Sequence, residues 1–223
     1  MRKLNVYPAF VSALVLAAVC AVPLGAGGGV HAEEPRTALF LVDGSGSMWA
    51  RFDTPTEKRA KIDVVRELLK PLISADKTSR IGLGSFGHRQ RGDCSDVEII
   101  AAPGADRDGV LGPLEKLNPK GKGPLAQGLR QSTAAIGASR PASIVVINDG
   151  TDNCRQDACA AAAEIAKTAP GIAIHVIAVG VDPGDHPHLQ CITKATGGKF
   201  FDVRDPLGLA AAISEAGMLA LGG

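Results

Sequence analysis

The sequence predicts an α/β protein with a doubly wound, mostly parallel six-stranded sheet, one antiparallel edge strand and helices on both faces. Short apolar runs, typical of strands buried on both faces, alternate along the chain with segments of helical spacing. Two of these runs end at an aspartate followed by glycine. One connection between strands is too short to contain a crossover helix. These observations predict a layered α/β fold with polar loops at one end of the sheet.

Six segments have the composition of buried strands. They are residues 37–42, 80–86, 97–101, 142–148, 172–179 and 199–203. The second and third are joined only by the polar loop 87–94 and should form an antiparallel hairpin. The others alternate with predicted helices, which is typical of parallel strands.

The helices are predicted from capping residues and from apolar stripes. Thr54-Pro55-Thr56-Glu57 resembles a capping box with proline at the first helical position, so a helix is predicted to begin there. Its stripe of Ile62, Val65, Leu69 and Leu72 indicates packing on the sheet. Further helices are predicted at about residues 106–117, 124–138, 157–167, 188–195 and 206–219.

The first 32 residues are predicted to be an export signal. Arg2 and Lys3 precede an apolar stretch at about residues 9–24, and small residues lead to a cleavage site after Ala32. A membrane anchor would need a longer apolar span, so no membrane span is expected after signal cleavage. Residues 33–223 are then expected to form a single domain, located in the periplasm or secreted.

Charge and cysteine content narrow the function further. The formal net charge is +1, without a basic block, so nucleic acid is not an expected partner. Four cysteines follow the signal, and in an exported chain they indicate two disulfides: Cys94, Cys154, Cys159 and Cys191. A structural zinc site is the alternative, although no pair has the close C-x-x-C spacing of such sites.

Oxygen donors cluster where two predicted strands end. Asp43, Ser45 and Ser47 alternate along a turn whose intervening glycines let the backbone fold sharply. Asp149 follows the fourth strand. If the two strands are neighbours, these side chains face each other at the carboxyl end of the sheet. Such donors suit a hard cation such as magnesium. A solvated polar loop is the alternative interpretation.

These residues resemble the von Willebrand factor type A (VWA) family. Asp43-Gly44-Ser45-Gly46-Ser47 matches its D-x-S-x-S motif, and Asp149-Gly150 matches its later aspartate. The order of predicted elements over residues 36–220 is similar to that of the family. The chain is also similar to exported bacterial VWA proteins named calcium-activated chloride channel homologues, through residues 87–94, 149–154 and 190–192.

The resemblance implies a metal-ion-dependent adhesion site (MIDAS) at which Asp43, Ser45, Ser47 and Asp149 hold a divalent cation. Magnesium is the expected ion, with manganese or calcium as alternatives. The family's fifth ligand is a threonine, but this chain has Gly123 at that position, so a water is expected there. The implied function is protein binding without catalysis, in which an unknown partner presents an Asp or Glu side chain to the cation.

Two other functions stay open. One is a metal-assisted hydrolase, for which His88 is the candidate general base. The other is a structural envelope protein whose metal site is degenerate. In the predicted fold, helices that follow adjacent strands are neighbours. The preferred disulfide pairing is therefore Cys159 with Cys191 and Cys94 with Cys154, which would brace the loops around the metal.

Overall fold

The computed structural model describes Lys3, residues 35–54 and residues 57–222. The predicted export signal therefore lies, apart from Lys3, outside the described residues. The strands of the described part are β1 (Thr37–Asp43), β2 (Arg80–Phe86), β3 (Val97–Ala101), β4 (Ala142–Asn148), β5 (Ile172–Val179) and β6 (Phe200–Val203). Its α-helices are α1 (Lys61–Ala75), α2 (Arg107–Lys116), α3 (Leu125–Ile136), α4 (Ala158–Thr168), α5 (Pro187–Thr196) and α6 (Pro206–Leu221). Short 3₁₀ helices lie at Gly46–Trp49 and Pro183–Asp185.

The strands form one sheet in the order β3-β2-β1-β4-β5-β6. All neighbouring pairs are parallel except β2 and β3, which form the predicted antiparallel hairpin. The fold class predicted from the sequence is confirmed. The chain proceeds from β1 to β2 on one side and returns to β4 on the other side of β1, so the winding direction reverses between β1 and β4. Ligands of doubly wound sheets bind above such a reversal.

The sheet separates two hydrophobic cores because successive strand side chains point to opposite faces. On β1, Phe40 packs in one core with α1, α2 and α6, whereas Leu41 packs in the other with α3, α4 and α5. Both side chains are fully buried. This double coverage explains why the strands appear in the sequence as continuous apolar runs without polar alternation.

The predicted start of α1 is wrong. The helix begins at Lys61 and not in the segment that resembles a capping box. The backbone N–H of Glu57 does donate to Thr54 Oγ1 at 3.3 Å, but the described part of this segment is not helical. The chain is held here by an antiparallel bridge between Arg51 and Ala60. Lys61 N also donates to Ala50 O at 2.9 Å, so tertiary contacts override the local capping signal.

Two disulfides staple loops and helices at the carboxyl end of the sheet. Cys94–Cys154 joins the β2–β3 loop to the β4–α4 loop, and Cys159–Cys191 joins α4 to α5. This is the pairing preferred from the sequence. The closed loops span 60 and 32 residues, and closures of such length typically add about 2–4 kcal/mol of stability. Within the described residues, every helix is too short or too polar to cross a bilayer.

Candidate metal-binding site

The turn after β1 brings three predicted donors close together. Ser45 N donates to Asp43 Oδ1 at 2.6 Å, and the Oγ atoms of Ser45 and Ser47 lie 2.9 Å apart. The turn is fixed from below by Met48 in the short 3₁₀ helix, whose side chain is fully buried. Asp43 and Ser45 are buried, whereas Ser47 is exposed. The cluster is therefore supported by the core and open to solvent on one side.

The fourth donor, Asp149, comes from the end of β4 and meets the turn directly. Ser47 Oγ donates to Asp149 Oδ1 at 2.6 Å, and Asp149 N lies 3.4 Å from Asp43 Oδ2. This contact follows from the parallel pairing of β1 with β4, which places both strand ends at the winding reversal. The structure thus brings together all four of the side chains that the sequence singled out.

The negative charges of Asp43 and Asp149 repel each other at this position. Burial, and then the negative charge of Asp149, raise the pKa of Asp43 from 3.8 to about 7. The hydrogen bond from Ser45 opposes this rise but does not cancel it. A divalent cation between these groups would offset the repulsion, so this pair of carboxylates has the charge that such an ion requires.

Sequence reasoning missed one charged member of the cluster, Lys61. Its Nζ lies 3.0 Å from Asp149 Oδ2, and the two side chains are 10% and 1% exposed. Lysine is almost never buried to this degree unless it is paired. No local pattern could have revealed the contact, because the partners are 88 residues apart in the chain.

The segment that precedes α3 crosses the top of β1 and β2 through backbone hydrogen bonds. Lys120 N donates to Gly44 O at 2.9 Å, Gly46 N donates to Gly121 O at 3.1 Å and Gly121 N donates to Gly87 O at 2.7 Å. Gly87 has a φ of +68°, and a Cβ there would overlap the carbonyl oxygen of Lys122. The close approach of these loops therefore requires glycine.

Gly123, at the position of the family's threonine, is held by the β4–α4 loop. Its N–H donates to Asn153 Oδ1 at 2.9 Å. A Cβ at Gly123 would lie 3.6 Å from Phe86 Cε2 and 3.9 Å from Thr151 O, which are ordinary contact distances. The backbone thus leaves room for a side chain at the position where the hydroxyl ligand is missing.

Five exposed cationic side chains lie on the loops at the carboxyl end of the sheet, and none of them forms a salt bridge within the described part of the chain. We call this set the basic rim; its members are Arg51, Arg91, Lys120, Lys122 and Arg155. Two acidic side chains of the same loops accept backbone hydrogen bonds, Asp93 from Ser95 N and Asp152 from Ala126 N, whereas Asp53 beside Arg51 is exposed. The rim therefore adds cations without a salt bridge to loops that also contain carboxylates.

His88, the candidate general base, contacts Glu98 and not the four predicted metal ligands. Its Nε2 lies 3.0 Å from Glu98 Oε2, and burial lowers the pKa of the imidazole. The ring lines a cavity of about 470 Å³ between β3 and α2, together with Ile100 and Lys116. In the described part of the chain, His88 has no hydrogen bond to the four donors. The geometry therefore gives no support to a general base at this site.

The donor set fits a hard divalent cation. No group of three or more His, Cys, Asp or Glu side chains among the described residues could hold a metal ion. A cation at this site would therefore depend on two carboxylates, two hydroxyls and water. Magnesium typically binds through one or two carboxylates and keeps several waters, so this donor chemistry suits it.

Parallel strands wound in both directions from a reversal place this chain among the doubly wound α/β domains, a class whose ligands bind above such a reversal. Residues 38–151, just over half of the chain, match the family model of the von Willebrand factor type A domain. The chain therefore belongs to the von Willebrand factor type A family. VWA domains are generally interaction modules, not enzymes, and often bind a divalent cation at the MIDAS. No curated protein matches this chain.

Solved structures share the fold at low sequence identity. BatB, a conserved hypothetical protein from Bacteroides thetaiotaomicron, has a TM-score of 0.60 and 19% identity, over 80% of this chain and 97% of BatB. A von Willebrand factor type A protein from Catenulispora acidiphila has a TM-score of 0.65 and 18% identity, over 82% of this chain and 42% of that protein.

A third similar structure is proximal thread matrix protein 1 from the mussel byssus, with a zinc-occupied MIDAS motif. Its TM-score is 0.61 at 14% identity, over 82% of this chain and 44% of that protein. At such identities the likeness concerns the fold alone. The resemblance to proteins named calcium-activated chloride channel homologues is not confirmed by these comparisons.

Proposed function

We propose that this chain is an exported, non-enzymatic binding module that engages an acidic group of a protein partner through a divalent cation. Asp43, Ser45, Ser47 and Asp149 would hold the cation, which we propose to be magnesium. When bound, the ion supplies a positive centre with a coordination position for the partner's carboxylate. The observation that carries the proposal is the continuous series of hydrogen bonds, two between side chains and two from backbone N–H groups to Asp43, that joins these four residues at the winding reversal.

The surroundings support an acidic partner and an exported location. The basic rim adds exposed cations without a salt bridge to the loops at the same end of the sheet, which favours association with negatively charged surfaces. Ser47 is exposed, so a partner can approach the donors from solvent. Two disulfides fit an oxidising compartment such as the periplasm or the extracellular space.

Calorimetric titration with magnesium tests the metal part of the proposal. We expect the protein to bind one magnesium ion and Asp43→Ala to release no binding heat, because this change removes a buried carboxylate of the donor set. Manganese and calcium titrations under the same conditions rank the ions. Equal heats for the two proteins would refute the metal site.

The partner is tested by affinity capture from an envelope extract. The immobilised protein should retain an acidic partner in magnesium buffer and release it in chelator, and Asp43→Ala should retain none. Retention that persists in excess chelator would instead favour the structural envelope protein whose metal site is degenerate.

Gly123→Thr is expected to tighten magnesium binding, because the new hydroxyl supplies a further oxygen ligand where the backbone leaves room for a side chain. We expect a gain of roughly tenfold in affinity, a size comparable to other single changes around metal sites. Gly123→Val is the matched control, since valine has the same shape without the hydroxyl. If both variants change the affinity equally, the missing threonine is not a ligand position in this chain.

A further inference from the structure

Lys61 is built into the candidate metal site more firmly than an ordinary surface lysine. It is the first residue of α1, and its backbone N–H is fixed by Ala50 O at 2.9 Å. The side chain is 10% exposed and directs its ammonium to Asp149 Oδ2 at 3.0 Å. Among the salt bridges of the described residues, this is the one that involves a predicted metal ligand. The contact therefore belongs to the electrostatics of the site.

The structure also leaves space for this side chain. Gly180 follows β5 with a φ of +68°, and a Cβ there would lie 3.3 Å from both Cε and Nζ of Lys61. Lys61 also lines a cavity of about 320 Å³, whose lining includes two carboxylates, Asp53 and Asp182, and two guanidinium groups, Arg51 and Arg204. The side chain therefore lies beside a polar space in which charges of both signs are present.

An ammonium and a divalent ion at one carboxylate repel each other, and the repulsion is strong where water is scarce. The charge of Lys61 partly neutralises Asp43 and Asp149 when no cation is bound. The same charge opposes the arrival of a divalent cation. Removing one partner of such a buried pair leaves an uncompensated charge, which is usually strongly destabilising.

We propose that Lys61 is a built-in counter-ion that stabilises the cation-free site and weakens the binding of the divalent cation. This inference rests on the proposed metal-dependent function and adds a regulatory element to it. Cation loading then displaces the ammonium from Asp149 towards the adjacent cavity. The site then replaces the single positive charge of Lys61 with the double charge of the cation. When no cation is bound, the ammonium of Lys61 pairs with Asp149 and stabilises the loops of the site.

Magnesium titration of Lys61→Met by calorimetry at pH 8 tests the proposal. We expect this variant to bind magnesium about tenfold more tightly than the unchanged protein, in line with the size of effects around metal ligands. Lys167→Met is the matched control, because it removes an exposed lysine in the last turn of α4, outside the basic rim. Its affinity should change by less than about twofold, since exposed charges are screened by water and salt.

Thermal unfolding gives a second readout that does not depend on a partner. In chelator, Lys61→Met should lower Tm by about 5 °C or more, and saturating magnesium should recover most of the loss. If the methionine variant does not fold, Lys61→Gln removes the charge while keeping a hydrogen-bond donor. Lys61→Arg keeps the charge and should bind magnesium as weakly as the unchanged protein.

The outcomes separate this inference from the proposed function. Equal or weaker magnesium binding by Lys61→Met and Lys61→Gln overturns the counter-ion role and leaves the metal site standing. Absence of magnesium binding in the unchanged protein and in every variant overturns the metal-dependent function, and the counter-ion role with it. Tighter binding by the uncharged variants, with unchanged binding by Lys167→Met, supports both.

Discussion

In the absence of divalent cations, Asp43→Asn is expected to be more stable than the unchanged protein at pH 8, by about 2–4 kcal/mol. Burial, and next the charge of Asp149, raise the pKa of Asp43 to about 7. The native state therefore binds a proton more readily than the unfolded state, and stability falls as the pH rises from about 4 to 7. Asparagine keeps the acceptor for Ser45 N and cannot ionise, although it gives up the longer 3.4 Å hydrogen bond from Asp149 N.

Urea unfolding in chelator, at several pH values between 4 and 8, measures this effect. The advantage of Asp43→Asn should shrink towards zero near pH 4, where Asp43 is protonated in the native state. Asp106→Asn is the control, because this exposed residue caps α2 through Gly109 N and asparagine caps equally well. An advantage that does not change with pH would show that ionisation of Asp43 is not its cause.

The same variant should lose its advantage in magnesium. A bound ligand stabilises the native state by about 2.7 kcal/mol at a hundred times its Kd. Asp43→Asn removes a negative ligand, so it should gain little from the cation while the unchanged protein gains this amount. Equal stabilisation of both proteins by magnesium would contradict the placement of the ion at Asp43.

Gly87→Ala is expected to lower the free energy of unfolding by roughly 3 kcal/mol or more and to weaken magnesium binding. Gly87 has a φ of +68°, and its Cβ would overlap the carbonyl oxygen of Lys122. Backbone on both sides leaves no flexible side chain to move, so the segment before α3 must shift. That segment holds the turn after β1 through Gly44 and Gly46, so the donors should lose their alignment.

Gly92→Ala is a matched control for this prediction. Gly92 lies in the same loop with a φ of +73°, but a Cβ there meets nothing within 4 Å. Its substitution should cost only the left-handed backbone term of about 1–2 kcal/mol and leave magnesium binding unchanged. Denaturant unfolding and calorimetry measure the stability and the magnesium affinity of both variants. Equal losses of stability and affinity in the two variants would refute a role for close loop packing.

The strands of this fold were predictable because each is a short apolar run between turn residues. β2, β3, β4 and β5 have the bounds that the sequence indicated, and β1 and β6 differ by one residue. Their composition follows from burial on both faces, which leaves no polar alternation to confuse the assignment. The two aspartates could be placed together because they end strands that are neighbours at the reversal.

The start of α1 and the contact of Lys61 could not be predicted, for related reasons. The capping signal at Thr54 forms its local hydrogen bond, but the Arg51–Ala60 bridge decides where the helix begins. Because the helix begins at this point, Lys61 lies in the first turn of α1, beside Asp149. Both effects depend on distant contacts, whereas capping patterns and apolar spacing report only on neighbours along the chain.

The donors, the disulfides and the basic rim all lie at one end of the sheet. At the other end, the loop between α3 and β4 is exposed at Gly137 and Ala138, and a Cβ at Gly137 would meet nothing within 4 Å. A short affinity tag inserted at Ala138 would therefore attach the protein to a support by the end of the sheet opposite the four donors. The end that carries the four donors would then face the solution, and every immobilised molecule would present it in the same orientation.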